Sequence, residues 1–284
     1  MIASVKHRKG GERISNRDRL FYLLINLFVG LLTLMVLYPL IYIVSSSFSS
    51  PAAVSAGKVT LWPVDFSLRG YQAVFEYKSV FIGYRNTIFY TVVGTLINVA
   101  MTMLAAYALA RKTLPGRGFF TFLFTFTMMF NGGLIPNYIL MKDLHIINTV
   151  WAILLPGAFA PFSVFLLTKF MRRIPVSLIE SAKLDGAGEW QIFWRICLPQ
   201  CRAALYSIAI LVFIDYWNMV EQPLILLPDA SQQPLSVYLS QINAGEIGIA
   251  FAAAVVYMIP GLLLFLHGEA YLVEGIAYSG SVKG

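Results

Sequence analysis

Apolar runs of about 20 residues alternate with short polar stretches along the chain, the length a helix needs to cross a hydrocarbon core of about 30 Å. Residues 1–19 are polar and basic, and residues 20–47 are apolar for longer than a signal-peptide core. No small-residue cleavage site follows closely, so a retained first span is expected after an N-terminal tail. Residues 48–85 mix Ser, Pro, Gly and aromatic side chains and read as an external loop. Residues 86–110 form the second span, where Gly94, Ala100, Ala105, Ala106, Ala108 and Ala110 allow close helix approach. After a basic turn at 111–118, the third span runs over 119–130 and is interrupted by Asn131-Gly132-Gly133-Leu134-Ile135-Pro136. Irregular backbone at membrane depth survives only where protein or a water-filled cavity satisfies it. Both a break lining a pathway and a loop re-entering the interface fit this pattern. Residues 149–170 form the fourth span, with a kink expected from Pro156 and Pro161. Residues 203–227 form the fifth, with Asp215, Asn218 and Glu221 spaced for one helical face. Polar groups inside a span face a cavity or a partner helix by default, although Glu221 could already lie at the outer rim. An outer loop over 228–248 holds no Lys or Arg, and residues 249–267 form a sixth span expected to break at Pro260-Gly261. The second to sixth spans make a core over 86–270, followed by a tail over 271–284.

The stretch 174–199 departs from this alternation, packing charge, glycine, proline and tryptophan between the fourth and fifth spans. Pro175 suits the start of a helix, because its missing N–H is not needed there. A helix of about two turns follows over 176–183, and Gly186 is placed to end it in a left-handed C-cap. A second short helix after Gly188 brings Trp190, Phe193 and Cys197 to one side, until Leu198-Pro199 turns the chain back toward the bilayer. The predicted unit is a helix-turn-helix lying on the membrane face, with Glu180 and Asp185 left to meet a partner. Periodicity alone equally allows an ordinary amphipathic surface loop.

Composition agrees with a membrane protein: 58% of the 284 residues are hydrophobic and 12% charged, about half the charge of a soluble domain. All but five of the 21 Lys and Arg fall in the segments on the same side as the N-terminal tail and the 174–199 stretch. The positive-inside bias puts both termini and that stretch in the cytoplasm. The fold class is therefore an all-α membrane protein, a polytopic bundle of six transmembrane helices with a cytoplasmic coupling helix-turn-helix. The net charge of +7 follows from this topology and does not point to nucleic acid. Cys197 and Cys201 read as small apolar fillers, and His7, His145 and His267 are too scattered to argue a metal site. No G-x4-G-K-[ST], H-E-x-x-H or G-x-S-x-G run occurs, and Asp185-Gly186-Ala187-Gly188 lacks the preceding strand of a dinucleotide site. An ion-coupled secondary transporter would need more intramembrane charge than Asp215 offers.

Glu180-Ser181-Ala182, then Gly186, then Ile196-x-Leu198-Pro199 resembles the E-A-A-x-x-x-G-x9-I-x-L-P signature of permease subunits in bacterial ABC importers, with Ser181 replacing the middle Ala. Trp217-Asn218 followed by Pro223-Leu224 is similar to the W-N-x4-P-L run of maltose- and oligosaccharide-type sugar permeases. Gly133-Leu134-Ile135-Pro136 and Val282-Lys283-Gly284 look like the polysaccharide branch of that group. The chain departs from many relatives at Arg202-Ala203, where a second proline is common, and at Glu269 and Glu274, where basic and aromatic residues are common.

The resemblance implies a non-catalytic, multi-pass subunit of the bacterial cytoplasmic membrane. A second homologous permease subunit would complete a heterodimer, two ATPase subunits would bind ATP and Mg, and an extracytoplasmic binding protein would deliver a sugar. This chain would hold no cofactor. It further implies that Glu180 faces a basic residue of the ATPase, that Ser181 and Ala182 pack in its cleft, and that Gly186 makes the turn, with Asp185 among the coupling residues. Ile196, Leu198 and Pro199 close the motif. A sugar pathway needs aromatic faces and a few hydrogen-bonding groups, and the candidates are Asn131, Tyr216, Trp217 and Asn218. A permease for a non-sugar ligand carries the same signature.

Overall fold

The computed structural model of the chain describes residues 16–130, 132–241 and 247–280, and every regular element among them is helical. The first part of the chain holds α1 (Asn16–Ser47), α2 (Pro51–Ser55), α3 (Arg69–Glu76) and α4 (Lys78–Ala110). Then come α5 (Arg117–Met129), α6 (Leu134–Asp143), α7 (Trp151–Gly157) and α8 (Pro161–Met171). The coupling region comprises α9 (Val176–Leu184), α10 (Glu189–Ile192), a π-helical turn (Phe193–Cys197) and α11 (Leu198–Gln200). The chain continues through α12 (Arg202–Trp217), α13 (Glu221–Leu226), α14 (Leu235–Ser240) and α15 (Ile247–Gly280).

Among the described residues α1, α4 and α15 are each long and apolar enough to cross a bilayer alone. Three more spans arise if each bent pair counts as one: α5 with α6 at 118°, α7 with α8 at 40°, and Glu189–Gln200 with α12 at 80°. The six-span architecture stands, with several boundaries moved. Helix α4 begins at Lys78, so the second span extends about 12 Å beyond the apolar run that starts at Asn86. Lys78 and Arg85 hid that extension from a reading based on hydropathy. Helix α15 runs through Pro260 without a break. A proline removes only one backbone bond, which a membrane helix accommodates by local adjustment. The same helix continues through residues 271–280 of the expected tail, and residues 281–284 lie outside the described ones.

The supposed external loop is a small folded cap. Ser45 Oγ donates to the Leu61 carbonyl at 2.7 Å, the Val64 N–H donates to Ser49 Oγ at 3.0 Å, and Ser47 and Tyr71 share a hydroxyl contact at 2.8 Å. The serine-rich end of α1 thus becomes buried glue, whereas its preceding turns present an exposed apolar surface.

The core lies where α12 packs between α4 and α15 and α4 packs along α8. Tyr216 fixes that contact. A Cβ on Gly94 of α4 would lie 2.4 Å from its ring, and one on Gly157 of α7 would lie 2.0 Å from its hydroxyl oxygen. Beside it, Trp217 Nε1 donates to the Tyr257 carbonyl at 3.2 Å, while the Tyr257 hydroxyl donates to the Trp217 carbonyl, pinning α12 to α15.

The kink between α7 and α8 has a specific seal. Pro161 has no N–H for the Gly157 carbonyl four residues earlier, and Asn98 Nδ2 of α4 donates to that carbonyl at 2.7 Å. Thr102 Oγ1 donates to Asn98 Oδ1 at 3.3 Å and holds the amide in place. Asn98→Leu keeps the branched shape but strands the carbonyl. A loss of about 1–3 kcal/mol is expected, read as a lower thermal midpoint of the detergent-purified protein, whereas Asn98→Gln should lose less.

Candidate functional site

Helix α9 begins directly after its N-cap Pro175 and ends in a Schellman motif. The Gly186 N–H donates to the Lys183 carbonyl at 3.1 Å and the Ala187 N–H to the Ala182 carbonyl at 2.9 Å. Gly186 sits at φ +81°, the left-handed geometry this closure needs. Gln191 Oε1 then accepts the Gly188 N–H at 3.3 Å, starting α10. Pro199 does not make the turn assigned to it. The preceding turn is π-helical, with the Leu198 N–H donating to the Phe193 carbonyl. This wider turn accommodates the proline within α11, and the 80° bend falls at Cys201.

One face of the unit packs under the spans through Ile192, Phe193, Cys197 and Leu198, with Ile179, Ala182, Ala187 and Ile196 half-buried beside them. Of the candidate coupling residues, Glu180, Ser181, Asp185, Gly186 and Pro199 are exposed, whereas Ala182, Ile196 and Leu198 turn toward the core. Ala182 therefore lies on the inner side of the unit. Leu184 is 89% exposed and Trp190 63% exposed, adding two large apolar groups to the free face. The spacing predicts Trp190 on one side with Phe193 and Cys197, but only those two are buried, and Leu184 has no prominence in the motif. The exposure of both depends on how the two helices are set against the bundle.

Sequence reasoning also missed Glu189. Its Oε2 accepts from Arg111 Nη2 and from the Tyr107 hydroxyl of α4, both at 2.6 Å, and its Oε1 accepts from Lys183 Nζ of α9 at 2.7 Å. The Lys183 and Tyr107 hydrogen bonds, reinforced by the Arg111 charge, hold the carboxyl below its ordinary value of 4.5. The only signal in sequence was a Glu at the start of a short helix, which an N-terminal dipole explains equally well.

A cavity of about 350 Å³ lies in the bundle, with Asn98, Gly157, Phe159, Asp215, Tyr216, Glu221 and Gln222 among its walls. Of the four pathway candidates, Tyr216 lines it, and its buried hydroxyl has no hydrogen-bond partner among the described residues. Trp217 is enclosed between Phe213, Tyr84 and Tyr257 and is a packing residue. Asn218 lies at the end of α12 and folds back onto the Ile214 carbonyl at 3.0 Å. Asn131 lies outside the described residues. The expected polar face of Asp215, Asn218 and Glu221 is not one helix, because α12 stops at Trp217 and α13 starts at Glu221. Even so, Asp215 and Glu221 meet at the cavity.

Residues 15–271 match the family described as binding-protein-dependent transport system inner membrane component. The chain belongs to this family. Its permease relatives include the polygalacturonan/rhamnogalacturonan transport system permease protein YtcP of Bacillus subtilis, 34% identical over 94% of this chain and 100% of that protein. The arabinooligosaccharides transport system permease protein AraQ of Halalkalibacterium halodurans is 27% identical over 87% of this chain and 91% of the relative. Among solved structures, a chain of a bacterial ABC transporter involved in the import of the acidic polysaccharide alginate superposes with TM-score 0.86 at 34% identity, covering 92% of this chain and 99% of that one. This is the permease fold of a multi-pass membrane protein.

The depressed Glu189 pKa gives the permease a signed pH dependence. The ion pairs contribute fully above the ordinary glutamate value of 4.5 and are lost as pH falls below it. Because Glu189 and Lys183 are 56% and 51% exposed, solvent screening holds the titrating contribution to about 1 kcal/mol. Between about pH 6 and pH 4, the thermal midpoint should fall more for the wild type than for Glu189→Gln, measured in the same detergent.

Proposed function

We propose that this permease forms half of the translocation pathway of an importer for an oligo- or polysaccharide, and that the 174–199 unit couples the pathway to ATP hydrolysis by a separate subunit. The observation that carries the coupling role is the two-sided unit at Gly186. One face packs into the bundle core, and the other offers Glu180, Ser181, Leu184 and Asp185 to a partner. A homologous second permease completes the pathway as a heterodimer, two ATPases bind ATP and Mg, and an extracytoplasmic binding protein delivers the cargo. This chain needs no cofactor of its own. It sits in a bacterial cytoplasmic membrane with both termini and the coupling unit in the cytoplasm, as the distribution of Lys and Arg favours.

The named cargoes of the relatives, polygalacturonan/rhamnogalacturonan and arabinooligosaccharides, support the sugar reading. So does the cavity, whose aromatic, amide and hydroxyl walls suit a carbohydrate. At the outer end, Asn86 Nδ2 donates to the carbonyls of Ser231 and Gln233 at 2.8 and 3.1 Å, and the Tyr90 hydroxyl donates to that of Gln232 at 3.1 Å. These bonds hold residues 231–233 of the 228–248 loop in one shape, which supports reading that loop as a contact for the binding protein.

A ligand screen on the cognate binding protein, followed by ATP-dependent uptake into proteoliposomes holding the whole complex, tests the reading. Saccharides should be the retained class and should enter only with ATP, and retention of a non-sugar class alone would overturn the cargo assignment. Gly186→Val should cost the turn about 1–2 kcal/mol of backbone strain or more, leave membrane insertion intact and cut ATPase co-purification or uptake. Wild-type uptake by that variant would remove the coupling assignment.

A further inference from the structure

We propose that Glu189 is the positioning residue that makes α4 move with the coupling unit, an inference that rests on the permease reading above. The coupling unit is tied by backbone to α8 through residues 172–175 and to α12 through Cys201. Helix α4 has no such tie, because α5 to α8 separate it from the unit in sequence. Arg172 Nη2 donates to the Leu109 carbonyl of α4 at 3.1 Å and Phe193 packs on Tyr107, but the charged contact between α4 and the two helices of the unit is made at one carboxylate. Glu189 Oε2 takes Arg111 Nη2 and the Tyr107 hydroxyl from the inner end of α4, and its Oε1 takes Lys183 from α9. One anion thereby joins both helices of the coupling unit to the second span.

The joint is built rather than incidental. The Tyr107 ring stands edge-on to buried Phe193 at 5.0 Å, and the Arg111 guanidinium lies over the Tyr107 ring at 4.6 Å. Arg111 is only 21% exposed, and its Nε is buried without a hydrogen-bond partner among the described residues. Removing Glu189 would leave that guanidinium half-buried with its counter-charge gone, so the contact opposes separation more than an exposed pair would. Farther along α4, Gly94 receives the Tyr216 ring and Asn98 forms a wall of the cavity. A push arriving at Glu189 therefore reaches the cavity through one rigid helix. Charged groups on coupling loops serve commonly as docking contacts, but this carboxylate points into its own subunit and is used up there.

The test uses the assembled complex in lipid and needs no knowledge of the cargo. Nitroxide labels replace the exposed Leu104 on α4 and Phe122 on α5, with Cys197 and Cys201 changed to Ala, and their separation is measured by pulsed electron spin resonance with and without ATP and Mg. ATP should shift the Leu104 to Phe122 separation in the otherwise wild-type complex. Glu189→Ala should still assemble and hydrolyse ATP while the shift falls to half or less, and Glu189→Asp should retain more of it. Arg111→Ala combined with Glu189→Ala should be no worse than the worse single change, because both remove one joint. A full shift in Glu189→Ala overturns the proposal, as does a labelled parent that hydrolyses ATP without any shift. Failure of both Glu189→Ala and Glu189→Asp to assemble also overturns it, by making Glu189 a folding or docking residue. A wild-type chain that binds no ATPase at all would instead sink the permease reading itself.

Discussion

The bond from Asn98 to the Gly157 carbonyl shows the constraint under which the whole bundle is built. Inside a bilayer a carbonyl released from helical bonding has no water to turn to, and Pro161 releases this one at the bend between α7 and α8. Asn98 answers it from the neighbouring span at 2.7 Å, and Thr102 orients the amide. Helix α4 must then lie close to the kink, and Gly94 and Gly157 make that approach possible on either side of Tyr216. The cavity beside Tyr216 is thus bounded by the same contacts that seal the kink. Any motion that opens it has to move α4 and α7 against α12.

The same reasoning explains which features could be read in advance. Length and composition sufficed for the spans, since hydrophobic length is what the bilayer selects. The turn at Gly186 was legible because a Schellman closure needs a left-handed residue that glycine readily supplies, and φ is +81° there. Pro260 misled because proline is a strong helix breaker in water but tolerable in a membrane helix, where no solvent competes for the remaining bonds. Trp217 misled for a different reason. Its neighbours are on α4 and α15, far away in sequence, so no local pattern distinguishes a packing tryptophan from one that faces cargo.

Glu189 marks the limit of sequence reading in this chain. Its three partners come from α4 and α9, and Tyr107 and Arg111 are separated from it by roughly 80 residues. Spacing arguments see neighbours along one helix, not a carboxylate collecting donors from two others. Leu184 and Trp190 are similar: each looks like core in a hydrophobicity profile, and only the placement of the 174–199 unit leaves them outside.

The proposed coupling role sets a physical requirement on the 174–199 unit. A flexible loop between the fourth and fifth spans would absorb a displacement, so the connection has to be stiff at both ends and along its length. Gly186 closes α9 by backbone bonds rather than leaving an open loop, and the π-helical turn carries the chain past Pro199 without loss of helical structure. The 80° bend at Cys201 then sets α12 across the direction of the preceding helices. Cys201 is buried there, and its N–H donates to the Cys197 and Leu198 carbonyls at 3.2 and 3.0 Å, so the corner is braced. A lever with a braced corner moves as one body, and in this chain Tyr216 near the far end of that body is wedged between Gly94 and Gly157 beside the cavity.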